Sequence, residues 1–233
     1  MKEQNKNKEL IVQNYPKSSV TEAIKQVRTN LRFSSVNEQI KTILITSSVA
    51  GEGKSFISAN LATAFATSKE KVLLIDCDLR RGRQKELFNL HKTANTGLSN
   101  LLIDKNWEKN LKNYLHKTEV PNLDVIPIGS TPPNPTVLLE SKKLESITEK
   151  IKEQYDVIIF DAPPTGGLTD ALVLTRLADV VLIVARAKKT SLELLENTKE
   201  ALENVNANIA GVILNRVDQK DNKYYKNYYY YGA

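Results

Sequence analysis

The sequence is poor in cysteine and has no long apolar run, and both absences limit where the protein can work. Its 233 residues include one cysteine, Cys77, which has no second thiol in the chain for a disulfide. No stretch combines a basic start, an apolar segment and a small-residue cleavage site, so we expect a cytoplasmic protein. No uncharged apolar run approaches the ~20 residues of a membrane-spanning helix, so membrane attachment would need a partner.

Charge of one sign is not in large excess either. The chain has 33 basic and 27 acidic residues, a formal net charge of +6. Because these charges are scattered along the chain, we expect no nucleic-acid partner. The length suits one α/β domain and leaves little sequence for a second core. We predict a polar, flexible N-terminal arm at 1–18 with order beginning near Ser19, a domain at 19–217 and a flexible tail at 218–233.

Short β-branched runs alternate with longer amphipathic stretches, the pattern of parallel strands joined by crossover helices. The fold class predicted is therefore α/β, with a mostly parallel central sheet and helices on both faces. Residues 129–135 contain three prolines and should be irregular. The predicted strands are Thr42–Thr46, Val72–Asp76, Leu123–Pro127, Val157–Asp161, Val180–Val184 and Ala210–Leu214. Helical patterns begin at Thr21 and cover 54–68, 136–154, 169–178 and 190–204, with a weaker one at 107–116.

A glycine-rich segment, Gly51-Glu52-Gly53-Lys54-Ser55, separates the first strand pattern from a helical one. Glycines let the backbone approach an anion, and the positive end of the following helix points at the same place. Lys54 would reach the β- and γ-phosphates of ATP, and the Ser55 hydroxyl would bind Mg²⁺. Ser48 replaces the first glycine of this P-loop motif, so the alternative is a glycine-rich turn with a surface lysine. The predicted nucleotide-binding residues are Val49, Ala50, Gly51, Glu52, Gly53, Lys54, Ser55, Phe56 and Asn215.

Acidic residues follow two of the predicted strands, where open α/β sheets place their ligands. Asp161 has the placement of a Walker B acid, which binds Mg²⁺ directly or through water. Asp76 and Asp78 end another strand. A lone aspartate there is commonly a turn or capping residue, and this is the alternative for Asp78. With the P-loop, we predict that Ser55, Asp78 and Asp161 hold the metal.

The order of these motifs resembles the bacterial tyrosine kinases of the capsule and exopolysaccharide type, relatives of the partition and septum-placement ATPases. The segment Leu74-Ile75-Asp76-Cys77-Asp78-Leu79-Arg80 is similar to their Walker A′ motif. The resemblance implies a P-loop NTPase-like fold with Lys54, Asp76, Asp78 and Asp161 as catalytic residues. Asp76 or Asp78 would orient the incoming phenol and accept its proton, and Asp76 is preferred. Val49 stands where the ATPase relatives usually carry a signature lysine, which favours the kinase branch. The same resemblance extends to Pro132–Pro135, Asp161–Pro164, Thr169–Ala171 and Gly211–Asn215.

The C-terminal tail holds six tyrosines and too few aliphatic residues to build a core. After a kinase-like domain, we predict that these tyrosines accept phosphate, delivered by a neighbouring copy. A sticky interaction segment or an edge strand is the alternative. The tyrosines are Tyr224, Tyr225, Tyr228, Tyr229, Tyr230 and Tyr231.

The resemblance also implies partners. The family's oligomerisation element, Glu-x-x-Arg-x-x-Arg, appears here as Glu22, Lys25 and Arg28. Lysine lacks the planar geometry of arginine, so a ring-forming contact should be weaker; an ordinary solvated helix face is the alternative. The Gram-positive type of this family separates the kinase from a membrane-anchored adaptor whose cytoplasmic tail activates it. We therefore expect a homo-oligomer, such as a ring, placed at the membrane through an adaptor, with protein tyrosine substrates and a tyrosine phosphatase.

The function predicted is an ATP-dependent protein-tyrosine kinase that phosphorylates its own C-terminal cluster in trans. The resemblance places it in the control of capsular or extracellular polysaccharide synthesis and export. Two alternatives stay open. A non-kinase ATPase switch of the partition or septum-placement type would hydrolyse ATP without forming phosphotyrosine. A regulatory subunit without catalysis would leave the six tyrosines unexplained. The run Arg80–Arg83 stays outside the catalytic set, because a charged loop is usually solvated.

Overall fold

A central sheet organises the computed structural model, which describes residues 7–34, 40–90, 96–167 and 169–218. Its strands are β1 (Thr42–Ser47), β2 (Val72–Asp76), β3 (His116–Lys117), β4 (Leu123–Ile126), β5 (Val157–Asp161), β6 (Val180–Arg186) and β7 (Ile209–Asn215). The seven strands lie in the order β3-β4-β2-β5-β1-β6-β7. β3 runs antiparallel to β4, and the other neighbours pair in parallel. The predicted mostly parallel α/β sheet is confirmed.

The helices are α1 (Ile11–Asn14), α2 (Ser19–Phe33), α3 (Lys54–Thr67), α4 (Gln84–Leu87), α5 (Leu98–Ile103), α6 (Trp107–Asn110), α7 (Pro135–Leu139), α8 (Lys142–Lys152), α9 (Asp170–Leu174) and α10 (Leu192–Glu203). Short 3-10 turns follow α6 and α9. The pattern predicted one helix over 136–154, but two are present. Ser141 has an extended backbone (φ −65°, ψ 138°), which interrupts the helical run after α7 and places Ser141 at the N-cap position of α8. No helix in these ranges has both the length and the apolar composition to cross a membrane.

Neighbouring residues of each central strand enter two different cores, because side chains alternate between the faces of a strand. Ile43 and Ile45 of β1 pack into the core beneath α2 and α3. Leu44, between them, packs into the core beneath α8 and α9. Helices therefore cover both faces of the sheet, as predicted. β7 is the exception at its edge, where Val212 and Leu214 are 49% and 58% exposed.

Regular structure begins before Ser19, where the sequence pattern placed its start. Leu10 and Val12 are buried, and α1 packs on α3. The Asn60 side chain of α3 accepts a hydrogen bond from the Val12 N–H (3.0 Å) and donates one to the Glu9 carbonyl (2.9 Å). Residues 7–18 are thus part of the packed domain rather than a flexible arm, because a short apolar island covers α3. Residues 1–6 lie outside the described ranges.

Candidate nucleotide-binding and catalytic site

The predicted P-loop joins the end of β1 to the start of α3. Gly51 and Gly53 have positive φ angles of 86° and 102°, a region that side chains other than glycine rarely adopt. A Cβ on Gly53 would also lie 2.1 Å from the Asn215 Nδ2 atom. Lys54 is the first residue of α3, so the loop ends where the backbone N–H groups of that helix are open to an anion. The loop therefore has the conformation that phosphate binding requires.

Two predicted nucleotide-binding residues hold the loop from within the protein. The Glu52 carboxylate is buried, and it accepts hydrogen bonds from the Val49 N–H (2.9 Å) and the Thr190 hydroxyl. The Asn215 amide donates to the Glu52 carbonyl (2.9 Å). Asn215 thus fixes the loop at the end of β7, and its contact with adenine stays a prediction.

The sheet brings the predicted acids to one edge. β2 and β5 are neighbours, and Asp76 is paired with Asp161 in their register. Asp78, two residues after β2, has a carboxylate oxygen 4.0 Å from the Lys54 Nζ atom. The Asp161 carboxylate accepts a hydrogen bond from the Ser58 hydroxyl of α3 (3.2 Å). P-loop, Walker A′ and Walker B residues are therefore assembled into one site.

Burial changes the acid strength of two of these carboxylates. It raises the pKa of Asp76 well above its usual value, and the negative charge of Asp161 raises that pKa further. Burial also raises the pKa of Asp161, against the opposing influence of Lys54 and of hydrogen bonds from Gln84 and Ser55. Two adjacent buried carboxylates resist full ionisation, so a cation at this edge would stabilise their charged forms.

The donor set suits Mg²⁺. Two buried oxygen atoms, Asp76 Oδ1 and Gln84 Oε1, have no hydrogen-bond partner in the described part of the chain. Buried polar atoms normally have one, so a donor such as bound water is expected there. Mg²⁺ prefers oxygen ligands and keeps several waters, using one or two carboxylates besides substrate phosphates. Within the described residues, no three His, Cys, Asp or Glu side chains form a metal centre by themselves. That Ser55, Asp78 and Asp161 hold the ion stays a prediction.

Gln84, which the sequence reasoning missed, lies at the centre of the site. It is fully buried at the start of α4. Its backbone N–H donates to Asp76 Oδ2 (2.9 Å), and its side-chain amide donates to Asp161 Oδ2 (2.7 Å) and to the Ser55 carbonyl (3.1 Å). The only sequence signal was its place shortly after the Walker A′ motif, within a segment that reads as a charged loop.

The arginines beside Gln84 bind other parts of the same chain. Arg80 Nε lies 2.9 Å from the Asp170 carboxylate, and Arg83 lies 2.9 Å from the Glu9 carboxylate. Arg80 thereby ties the Walker A′ segment to α9. These contacts agree with leaving the arginine run outside the catalytic set.

The predicted oligomerisation residues differ in their surroundings. Glu22 and Lys25 form an exposed ion pair on α2 at 2.8 Å. Arg28 instead donates to the Ala64 carbonyl of α3 at 3.1 Å. Oligomerisation through this helix stays a prediction. The six tail tyrosines lie outside the described residues.

Sequence comparison assigns the family. A family model described as an AAA domain matches residues 40–213. The putative tyrosine-protein kinase CapB of Staphylococcus aureus is 37% identical over 223 residues, covering 96% of this chain and 95% of that protein. The tyrosine-protein kinase YwqD of Bacillus subtilis (strain 168) is 38% identical, covering 96% of this chain and 91% of that protein. The chain belongs to the bacterial tyrosine-kinase family. The predicted resemblance is confirmed.

Solved structures agree with this assignment. The chimerical protein CapA2B2 superposes on the kinase with a TM-score of 0.84 at 34% identity, covering 91% of each chain. The septum site-determining protein MinD of Pyrococcus horikoshii OT3, complexed with Mg-ADP, gives a TM-score of 0.64 at 24% identity, covering 77% of this chain and 71% of that one. The second likeness concerns the fold alone. The P-loop NTPase-like fold is therefore confirmed.

Proposed function

We propose that this tyrosine kinase transfers the γ-phosphoryl group of ATP to tyrosine hydroxyls, first in the C-terminal cluster of a neighbouring copy. The observation that supports it most directly is the meeting of Lys54 with Asp76, Asp78 and Asp161 at one edge of the sheet. Phosphoryl transfer depends mainly on positioning and on charge neutralisation, and this edge offers both. The phenol oxygen forms the new bond to phosphorus, the bond to ADP breaks, and the phenol proton passes to a carboxylate.

Each residue has a proposed role. Lys54 and the loop N–H groups hold the phosphates, while Ser55, Asp78 and Asp161 hold Mg²⁺. The ion, when bound, neutralises charge that develops on the phosphates. Asp76 orients the phenol and accepts its proton. Its Oδ1 atom has no donor among the described residues, whereas Asp78 Oδ1 accepts the Arg81 N–H (3.0 Å).

The raised pKa of Asp76 also favours its role as the base. A phenol has a pKa near ~10, so an ordinary carboxylate is a weak base for it. Burial and the charge of Asp161 raise the pKa of Asp76 and thereby reduce the difference between the pKa values of the carboxyl and the phenol. In the protein without the ion, the pKa of Asp76 is therefore closer to that of the phenol than the pKa of an exposed carboxylate would be.

We propose the wider setting from the family resemblance. The kinase would form a homo-oligomer through Glu22, Lys25 and Arg28, bind the tail of a membrane-anchored adaptor, and be reversed by a tyrosine phosphatase. It would work in the cytoplasm beside the membrane and regulate capsular or extracellular polysaccharide synthesis and export. The exposed ion pair of Glu22 and Lys25 leaves that helix face available to a second copy.

The test is incubation of purified protein with labelled ATP and Mg²⁺, with and without candidate adaptor tails, followed by mapping of the phosphorylated residues. Phosphotyrosine is expected among residues 224–231. Lys54→Met should lose at least about 100-fold of the activity, since it removes the cation that binds the phosphates. Lys109→Met, which changes an exposed lysine of α6, should act like the unaltered protein. Absence of phosphotyrosine with an adaptor tail that activates a relative would contradict the proposal.

The sequence left open one further candidate, an ATPase switch without kinase activity. It predicts release of inorganic phosphate and nucleotide-driven dimerisation without phosphotyrosine. Against this candidate, Val49 stands at the position of the signature lysine, so no lysine at that position can reach the nucleotide of a second copy in a sandwiching dimer. Measuring phosphate release and phosphotyrosine in one reaction separates the two functions.

A further inference from the structure

We propose that Gln84 is a positioning residue that sets the Walker A′ and Walker B carboxylates against each other and against the P-loop helix. This inference rests on the proposed function, because it concerns how the same site is organised. Among the described residues, Gln84 is the one whose hydrogen bonds reach all three motifs, at Asp76, Asp161 and the Ser55 carbonyl. It is fully buried, so water does not compete for these bonds.

The chemistry of the carboxamide suits this position. Both partners of Nε2, Asp161 Oδ2 at 2.7 Å and the Ser55 carbonyl at 3.1 Å, are acceptors. Only the nitrogen of the amide can face them, and it carries two N–H donors, one for each. The orientation of the side chain is thereby fixed. A carboxylate in its place would set acceptor against acceptor and add a further negative charge to a buried acidic cluster.

The tight turn before α4 allows the backbone of Gln84 to take part. A Cβ on Gly82 would lie 2.6 Å from Asp76 Oδ2 and 2.1 Å from the Ile128 side chain. A side chain at position 82 would therefore displace the Asp76 carboxylate. Glycine lets the segment pass close enough for the Gln84 N–H to reach that same oxygen at 2.9 Å.

The remaining polar atom of Gln84, Oε1, indicates that a hydrogen-bond donor enters the site with its ligands. Its Oε1 and Asp76 Oδ1 are buried acceptors without a donor in the described part of the chain. Buried acceptors are normally satisfied, so a donor should enter with the ligands. The water shell that Mg²⁺ retains can supply such O–H groups. Gln84 would then support the metal indirectly, by positioning Asp161 and by accepting a hydrogen bond from bound water.

Gln84→Met tests this role, because methionine keeps the length and the backbone N–H but loses the amide. Loss of a residue that orients metal ligands typically costs about 10- to 100-fold in metal affinity or activity. We expect a loss of that size in kcat, together with a rise of about 10-fold in KM for MgATP, because the bound metal contributes to nucleotide binding. Gln84→Asn keeps the amide but is one methylene too short to bridge the same partners, and it should show the same changes in kcat and KM.

A binding measurement provides a readout that does not depend on phosphorylation. Fluorescent ADP is titrated into the full chain with and without Mg²⁺. Mg²⁺ should tighten ADP binding to the unaltered protein, and both Gln84 variants should lose about 10-fold of that gain while binding metal-free ADP as before. Gln154→Met is the matched control, since Gln154 is exposed and its side chain donates a hydrogen bond to the Lys150 carbonyl at 3.5 Å. It should match the unaltered protein.

The outcomes separate the two proposals. Equal loss of ADP affinity with and without Mg²⁺, alongside a lower urea midpoint, would mean that Gln84 only supports the fold and would overturn the inference. An unchanged Mg²⁺ effect in both variants would overturn it as well. Failure of the unaltered protein to form phosphotyrosine would instead remove the proposed kinase chemistry, while the Mg²⁺ effect on ADP binding still decides the role of Gln84. If Gln84→Met does not fold, Gln84→Asn is read by the same criteria.

Discussion

Asp76 holds one carboxylate oxygen in a hydrogen bond and leaves the other without a donor in the described chain. At the scale of single residues, this buried carboxylate is expected to destabilise the folded state. Its pKa is raised by burial and by the neighbouring Asp161. A buried, partly unsatisfied carboxylate weakens a fold, and natural proteins keep such groups where activity requires them.

We predict that Asp76→Asn stabilises the protein at neutral pH in the absence of nucleotide and metal, while it abolishes phosphotyrosine formation. The folded-state pKa lies above the unfolded-state value of about 3.9, so ionisation of Asp76 disfavours the folded state. The penalty is present above the raised pKa and disappears as the pH falls toward the unfolded-state value. The gain in the variant should be largest at the higher pH and on the order of 1–3 kcal/mol, the usual cost of a buried polar group that lacks a partner.

Urea denaturation at pH 8 and pH 5 measures this effect. The stability advantage of Asp76→Asn should shrink at the lower pH. A variant less stable than the unaltered protein at pH 8 would contradict the electrostatic account of this residue.

At the scale of elements, the contact between α1 and α3 makes residues 7–18 part of the domain. Asn60 bonds to both sides of this contact, to the Val12 N–H, the Glu9 carbonyl and the Phe56 carbonyl. Its side chain is fully buried. An amphipathic pattern was not visible here, because α1 is four residues long.

We predict that Asn60→Leu lowers the free energy of unfolding by roughly 1–3 kcal/mol, since it leaves buried backbone groups without partners. Urea denaturation measures the loss, and limited proteolysis should show faster cleavage within residues 7–18. Asn113→Leu, at an exposed position, serves as the control. Equal stability of both variants would mean that the N-terminal segment adds little to the fold.

The observed strands and helices can be compared with those predicted from local sequence patterns. The predicted strands match β1, β2, β4, β5, β6 and β7 to within two residues at either end, because buried parallel strands are continuous apolar runs. The short helix α5 was not predicted. Its first two N–H groups, of Leu98 and Ser99, donate to the carbonyls of Pro127 and Ile128, which follow β4. A Cβ on Gly97 would lie 2.1 Å from the Pro127 carbonyl oxygen, so that close approach sets the position of the helix.

At the scale of the whole molecule, the predicted oligomerisation element departs from the family's pattern at Lys25. Lys25 pairs with Glu22 within α2, whereas Arg28 bonds to the Ala64 carbonyl of α3. The exposed pair is free to exchange its contact for one with a second copy. Arg28 has a structural role in the single chain as well.

We predict that Lys25→Arg strengthens self-association several-fold, because a planar guanidinium can bind a carboxylate with two hydrogen bonds. Glu22→Ala should weaken association and change the stability of the single chain by less than about 0.5 kcal/mol, as expected for an exposed ion pair. Sedimentation velocity measures the first effect and urea denaturation the second. Identical sedimentation of the three proteins would exclude this helix face from the interface.

Phosphorylation of the tail should oppose assembly. Each phosphate adds about −1.5 to −2 charges, so several phosphates turn a mildly basic segment strongly acidic. We predict that the phosphorylated protein sediments as smaller species than the dephosphorylated protein, and that added salt reduces the difference. A variant with the six tail tyrosines changed to phenylalanine should keep the larger form after incubation with ATP. The same oligomer in both states of the unaltered protein would contradict the prediction.

The strands of the sheet, the P-loop and the acids at the sheet edge could all be predicted from the sequence alone. Each of these features depends on residues that are adjacent in the sequence. A buried apolar run forms a strand, and the residues that follow parallel strands lie together at one edge of the sheet. The packing of residues 7–18, the contact of Arg28 with α3 and the bridge that Gln84 forms between Asp76 and Asp161 are visible only in the folded chain. These contacts connect residues far apart in the chain or depend on the direction of a short helix, and no periodicity in a single sequence encodes them.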